Sequence, residues 1–468
     1  MTHHPPAAPR AEEASPNRRR VLVLAIVIST VLHLVLAGGA VLALSVSDAL
    51  PAPPAAQQRP ATATATATAT SGELDLAPLY VTLNEALAAQ DREAFMSHVT
   101  GTAVEPLTLW WDNMDALGWT TAVISPADDV EDVRADADGG EIVVVLGADM
   151  GYAQTMVGEE RPVAGGPLLT FGSIYVAEVD VTPAGPVISG WVPGREARPW
   201  DEGPLVVAAG DGIVAAGLPG EEDLVAEIAR VGAPVSAWAR DDYAVRHGHE
   251  APLDGFVVFA TSDDESFVQW LNGAADETFT WASRGFTLAG YLPGRGAPEL
   301  APEFATSALP TGAHVVLGPF ATADDVLDLV LVHEFTHVLQ FIDTPPRTAS
   351  PSRLTIDGWA RAQEIAYLSG GAEVGELTSS PWAAYLAECA GGVAPTIPTD
   401  DALFDDDAGC LHSIAATIFH FAEISGIDPV ELAAVSLDDG VTPFGAAQRL
   451  GTPLSGEAWS AWFAETYL

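Results

Sequence analysis

A chain of 468 residues exceeds the roughly 100–200 residues of a typical domain, which leaves room for two or three of them. Its formal net charge is -45, with 64 acidic residues against 19 basic ones, all of them arginine. That balance excludes a phosphate-backbone partner, since nucleic-acid binders carry a basic face, and it favours solubility without specifying a fold.

In chain order, residues 1–20 end in Arg18, Arg19 and Arg20, and residues 21–46 contain no charged side chain and only one histidine, His33. About 20 apolar residues cross the hydrocarbon core, and arginines on one flank are retained inside. The reading is a cytoplasmic tail over 1–20, a transmembrane helix over 21–46 and everything after it outside the cell. A cleaved signal peptide ending near "ALSVSD" is the competing reading, and it exports the rest of the chain equally. Residues 47–72, rich in Pro, Ala and Thr, have nothing to build a core and read as an extended stalk.

From residue 73 the pattern becomes structured. Apolar residues recur at helical spacing through "ELDLAPLYVTLNEALAAQDREAFMSHV" and a second stretch with Trp110 and Trp111, followed by strand-like runs "EIVVVLGAD", "LLTFGSIYVAEVD" and "PVISGWVPG". Helices followed by strands predict an α+β module over 73–203 with an antiparallel sheet, ending near "RPWDEGP". Residues 204–468 begin with a strand, "LVVAAGDGIVAAG", and a helix, "EEDLVAEIARVGAPVSAWARDDY". They pass through strands "GFVVFA" and "HVVLGP", with helical and irregular segments between, and read as mostly helical from Ala323 onward. The fold class is α+β throughout. No glycine-rich phosphate loop and no Gly-x-Ser-x-Gly elbow is present.

Within the helical part, "DLVLVHEFTHVLQFI" sets two histidines and a glutamate inside an otherwise apolar run. His333 and His337, four apart, lie on one helical face and can both reach one zinc ion. Glu334 is rotated about 100° from His333, beside the metal, where a carboxylate can take a proton from bound water. Thr322, Asp324 and Asp325 suggest the helix start. The His-Glu-x-x-His pattern also arises by chance in ordinary helices, so a third ligand is the test. Downstream, "RLTIDGWARAQEIAYLS" offers Asp357 and Glu364, seven residues apart.

The pattern resembles the gluzincins, the thermolysin-like and aminopeptidase N-like zinc peptidases, in which a second helix supplies a glutamate at this distance. Here "L-T-I-D-G-W-A" sets Asp357 at that position, followed by Gly358 and Ala360. Aspartate is one methylene shorter, so either the second helix sits closer to the metal or Glu364 substitutes as ligand. The whole architecture resembles membrane-anchored actinobacterial proteins of the peptidase MA-like kind, whose first module is similar to the nuclear transport factor 2-like cone. The resemblance implies a single-pass, outward-facing zinc metallopeptidase acting on peptide or protein substrates, with His333, His337 and Asp357 as ligands and Glu334 as general base. The alternative is a non-catalytic surface protein on the same fold.

A hydrolytic site also needs a donor for the oxyanion. His412 is the candidate, with His420 on the same helix and Tyr385 upstream as others. His247 and His249 in "RHGHE" read as an exposed loop. Cys389 and Cys410 bracket a turn-rich acidic segment and either close it with a disulfide or remain buried thiols.

Overall fold

The computed structural model describes residues 74–126, 139–151, 171–194, 198–271, 285–292, 309–322, 326–343, 352–370, 381–404, 409–452 and 454–468. The expected tail, transmembrane helix and stalk lie outside the described residues. Among the described residues no helix is long and apolar enough to cross a membrane. The fold is α+β.

Three helices come first: α1 (Ala77–Ala88), α2 (Arg92–Met96) and α3 (Val104–Leu117). α1 buries Leu79, Leu83, Ala86 and Leu87, a single helical stripe, and α3 buries Leu107, Trp110, Trp111, Met114 and Leu117 in the same manner. Four strands follow, β1 (Thr121–Pro126), β2 (Gly139–Asp149), β3 (Phe171–Thr182) and β4 (Gly185–Pro193), each antiparallel to the next. Strand β1 is absent from the expected set because "TAVISP" is short and ends in proline. It pairs along β2 at the sheet edge, where a terminal proline interrupts no ladder. Phe95, Trp110, Trp111 and Trp119 pack ring against ring in the core, with neighbouring centroids 5.1–6.2 Å apart.

A short helix, α4 (Pro199–Glu202), leads into a second sheet of β5 (Val206–Gly210), β6 (Ile213–Gly217), β7 (Phe256–Ala260), β8 (Gly285–Leu292) and β9 (Leu309–Leu317). The order is β5-β6-β7-β9-β8, with β6, β7 and β9 parallel and β5 and β8 antiparallel at the edges. The stretch "LVVAAGDGIVAAG" is therefore a hairpin, β5 and β6 turning at Asp211-Gly212, and Gly212 has φ +68°, which glycine adopts without strain. β8 falls where the sequence reads as irregular.

Alternate residues of this sheet face opposite layers. Val214, Ala216, Val257, Phe259 and Val316 join the core of the first module. Ile213, Ala215, Phe256, Val258, Val315 and Leu317 join a second core with helices α5 (Glu222–His247) and α8 (Leu327–Asp343). Being covered on both faces explains why β7, "FVVFA", is continuously apolar. The expected boundary near 198–204 is tightly held: Asn113 Nδ2 donates to the Trp200 and Gly203 carbonyls, its Oδ1 accepts from Leu205 N–H, and Arg198 Nη1 donates to the Trp270 carbonyl.

After α6 (Asp264–Leu271) and the four-residue α7 (Pro319–Thr322), α8 starts at Leu327. Thr322 thus ends a separate short helix instead of capping α8, and the Asp328 carboxylate accepts from Leu329 N–H in the first turn. Phe335 of α8 stacks on Phe256 with centroids 3.9 Å apart, and full burial of such a side chain contributes roughly 1.5–3 kcal/mol.

The remaining helices are α9 (Arg353–Ser369), α10 (Pro381–Cys389), α11 (Gly409–Ile424), α12 (Pro429–Asp439), α13 (Pro443–Arg449) and α14 (Gly456–Tyr467). They build a third core around Leu386, Ile418, Phe419, Leu432, Trp459 and Phe463. A β-carbon on Gly358 would meet Ala415 and Phe419 atoms at 3.1–3.3 Å, so glycine is what lets α9 and α11 approach this closely. Cys389 and Cys410 are bridged, tying the end of α10 to the first turn of α11. Within the loop so closed, Asp400 Oδ1 accepts from Ser352 Oγ and Leu354 N–H and caps α9 from a distance.

Candidate metal centre

α8 carries His333, Glu334 and His337, and α9 brings Asp357 against them. The two imidazole centroids are 4.6 Å apart, and one donor atom from each of His333, His337 and Asp357 lies within 4.8 Å of the others. His337 Nε2 is 3.6 Å from Asp357 Oδ1. Each imidazole has its Nδ1 engaged: His333 Nδ1 is 2.8 Å from Glu364 Oε1, and His337 Nδ1 is 2.8 Å from Gln340 Oε1. An Nδ1–H donating to each oxygen leaves Nε2 as the lone-pair nitrogen, the tautomer a metal ligand needs.

Among the described residues, Asp357 Oδ2 is buried with no hydrogen-bond partner, and Arg353 Nη1 approaches it only to 3.6 Å. A buried carboxylate oxygen in that condition is costly unless a cation meets it. Two imidazole nitrogens and one carboxylate oxygen, with a fourth position left for water, is a donor set that fits zinc.

Burial pushes the Glu334 carboxyl up to about 7, against the pull of the His333 charge and of a hydrogen bond from Thr287. Burial, with the neighbouring His333 charge, lowers His337 to about 3, so its ring is neutral at physiological pH. Burial also pulls His333 down, but the Glu364 hydrogen bond and the carboxylates of Glu364, Glu334 and Asp357 outweigh it and the net shift is upward. For Asp357 and Glu364 burial is likewise outweighed, by His412 and Arg353 at Asp357 and by Arg361 and His333 at Glu364, so both are held below the usual carboxylate range. The arginines, one turn either side of Asp357, keep the acidic groups ionised.

No protein-family model matches the chain, and no curated protein matches it significantly. The case for a site therefore rests on this geometry.

Each candidate from the sequence has a definite place. Glu364 lies beside His333 and holds its Nδ1 while pairing with Arg361. His412 sits next to the centre, its ring 6.4 Å from that of His333, and its Nε2 is 3.1 Å from the Leu403 carbonyl. With an Nε2–H given to that carbonyl, the remaining nitrogen of a neutral ring accepts rather than donates, and burial lowers the pKa further. A role for His412 as oxyanion donor requires a protonated ring or a different rotamer. His420 is buried elsewhere on α11, with Arg246 as its charged neighbour. Tyr385 packs on Trp382. His247 is no loop residue: it ends α5 and stacks on Tyr243 at 3.9 Å, while His249 follows just beyond the helix and is exposed.

Gln340, Arg353, Arg361 and Thr287 are the residues that sequence reasoning passed over. Gln340 follows His337 by three positions, and the arginines flank Asp357 by four on each side, so helical spacing carried a signal for all three. Thr287 lies 47 residues before Glu334, and nothing local marks it.

Proposed function

We propose that the protein is a zinc metallopeptidase of gluzincin type, displayed on the outer face of the cell membrane by a helix at 21–46, with a cone-like first module over 73–203 and a zincin-like domain over 204–468. The observation that carries the reading is the convergence of His333, His337 and Asp357 on one point, with Glu334 one residue along the same helix. His333, His337 and Asp357 would hold the ion, which when bound supplies a Lewis acid that lowers the pKa of a bound water and polarises a carbonyl. Glu334 moves the proton, taking it from the attacking water on a carboxylate oxygen and returning it to the departing amine.

The described sheet supports a peptide substrate. β8 is its edge strand, one side paired with β9, and Thr287 of β8 touches Glu334. Among the described residues no strand pairs with the other side of β8, and an extended chain adding there by backbone hydrogen bonds would run past the base.

The deciding experiment uses the full chain in detergent. It should contain about one zinc, and Glu334→Gln should keep the zinc while peptide cleavage falls about 100-fold or more. Wild type and variant equally inert on a peptide library and on surface proteins would instead make it a non-catalytic binding protein. The topology has its own test: protease added to intact cells should release the ectodomain, whereas recovery of all the protein in the medium with a new N-terminus near Asp48 would mean a cleaved signal.

A further inference from the structure

β8 is antiparallel to β9, with Gly285 opposite Leu317 and Thr287 opposite Val315. Two apart on a strand, Gly285 and Thr287 share one face, and both meet the Glu334 side chain. Thr287 Oγ1 is 2.8 Å from Glu334 Oε2 and 3.0 Å from the Glu334 main-chain carbonyl oxygen. A β-carbon added at Gly285 would lie 3.2 Å from both Glu334 Cγ and Oε1, and 2.7 Å from Leu317 Cδ2. The strand therefore leaves room for one carboxylate oxygen and binds the other.

The side chain so held is 5% exposed and has three rotatable torsions, whose ordering opposes a fixed carboxylate position. One hydroxyl within reach of both the carboxylate and the backbone of the same residue limits which of those torsions remain available. It also serves both states of the acid. Toward the carboxylate it donates, and once Glu334 carries a proton it can turn its own hydrogen to the carbonyl and accept the new one.

Building on the peptidase reading, we propose that Thr287 is the positioning residue for Glu334, and that Gly285 provides the space the carboxylate occupies. A base displaced by about 1 Å can lose 100-fold in rate while substrate binding is unchanged, so positioning reads out in kcat. A threonine that merely satisfies a buried carboxylate would change stability without that selectivity.

The test compares Thr287→Val, which keeps the shape and removes the hydroxyl, with Thr287→Ser, which keeps the hydroxyl, in the full chain. Zinc content, unfolding midpoint, KM and kcat are measured on a peptide that wild type cleaves. In Thr287→Val zinc content should stay at one per chain, KM should move less than about twofold and kcat should fall about 10-fold or more. Thr287→Ser should recover to within about threefold of wild type, and Thr287→Val should add nothing to the residual rate of Glu334→Gln. A Thr287→Val enzyme with kcat within twofold of wild type overturns the proposal, and so does an equal further loss in the Glu334→Gln background. If Thr287→Val fails to fold, a Thr287→Ser enzyme that holds zinc and binds substrate but has lost its kcat also overturns it, whereas full kcat supports it. A wild type that cleaves nothing removes the peptidase reading first, and this proposal with it.

Discussion

Glu364 Oε1 accepts from His333 Nδ1 at 2.8 Å, joining the two helices of the centre through a pair 31 residues apart in the chain. The contact orients the imidazole, and Arg361 keeps the carboxylate ionised from its other side. On the proposed reading, Glu364 holds a metal-binding histidine rather than binding the ion itself.

Glu364→Ala should therefore weaken zinc binding by about 10–100-fold, the usual effect of losing the partner of a metal-bound histidine, while stoichiometric binding survives. His333→Ala and Asp357→Ala should abolish it, because two protein ligands hold zinc poorly. Competition titration against a chelator measures both. If Glu364→Ala empties the site and Asp357→Ala does not, the ligand assignment moves to Glu364.

The Cys389–Cys410 bridge closes a loop with a sequence separation of 21, which corresponds to about 3 kcal/mol of stabilisation. That loop contains Asp400, which caps the ligand helix α9, and Leu403, which meets His412. Reduction, or replacement of both cysteines by serine, should lower stability in urea by about this amount and weaken zinc affinity as α9 frays. Unchanged affinity alongside lowered stability would separate the loop from the site.

A pH effect is expected far from the candidate metal centre. Asp201 accepts from Tyr175 Oη at 2.9 Å and from Arg198 N–H at 3.0 Å, and burial raises its pKa to about 6. The folded protein therefore binds this proton more tightly than the unfolded chain. The stability it contributes is complete below about pH 4 and is lost as pH rises through 6, an effect of up to roughly 3 kcal/mol. Buried His420, lowered to about 4, acts in the opposite direction, losing stability as pH falls from about 6.5 toward 4. The difference between wild type and Asp201→Asn isolates the first effect. Wild type should have its greatest advantage at or below about pH 4 and lose it by pH 7.5 in denaturant unfolding, and a constant difference would exclude Asp201 as the source.

Residue spacing alone made α8 and α9 legible. A spacing of four positions from His333 to His337 places both on one helical face whatever surrounds them, and the stripes of α1 and α3 follow from the same periodicity. Asp357 could be singled out because its helix follows closely along the chain. The proposed arrangement of residues 1–72 rests on the sequence alone, because charge and apolar length are local properties and these residues lie outside the described structure.

Only the tertiary structure decided the rest. β8, with glycines at 285 and 290 and no β-branched run, reads as irregular, and it is a strand because β9 offers it a partner. Its Thr287 acquires meaning only when that pairing lays it across Glu334. The roles of Asp357 and Glu364 likewise could not be separated by spacing, because residues seven apart share a helical face. Which of them faces His337 Nε2, and which meets His333 Nδ1, depends on how α9 is set against α8. α9 is itself held by Gly358 against Ala415 of α11, by the remote Asp400 cap and beside the disulfide-closed loop, contacts between segments that the linear order does not place together.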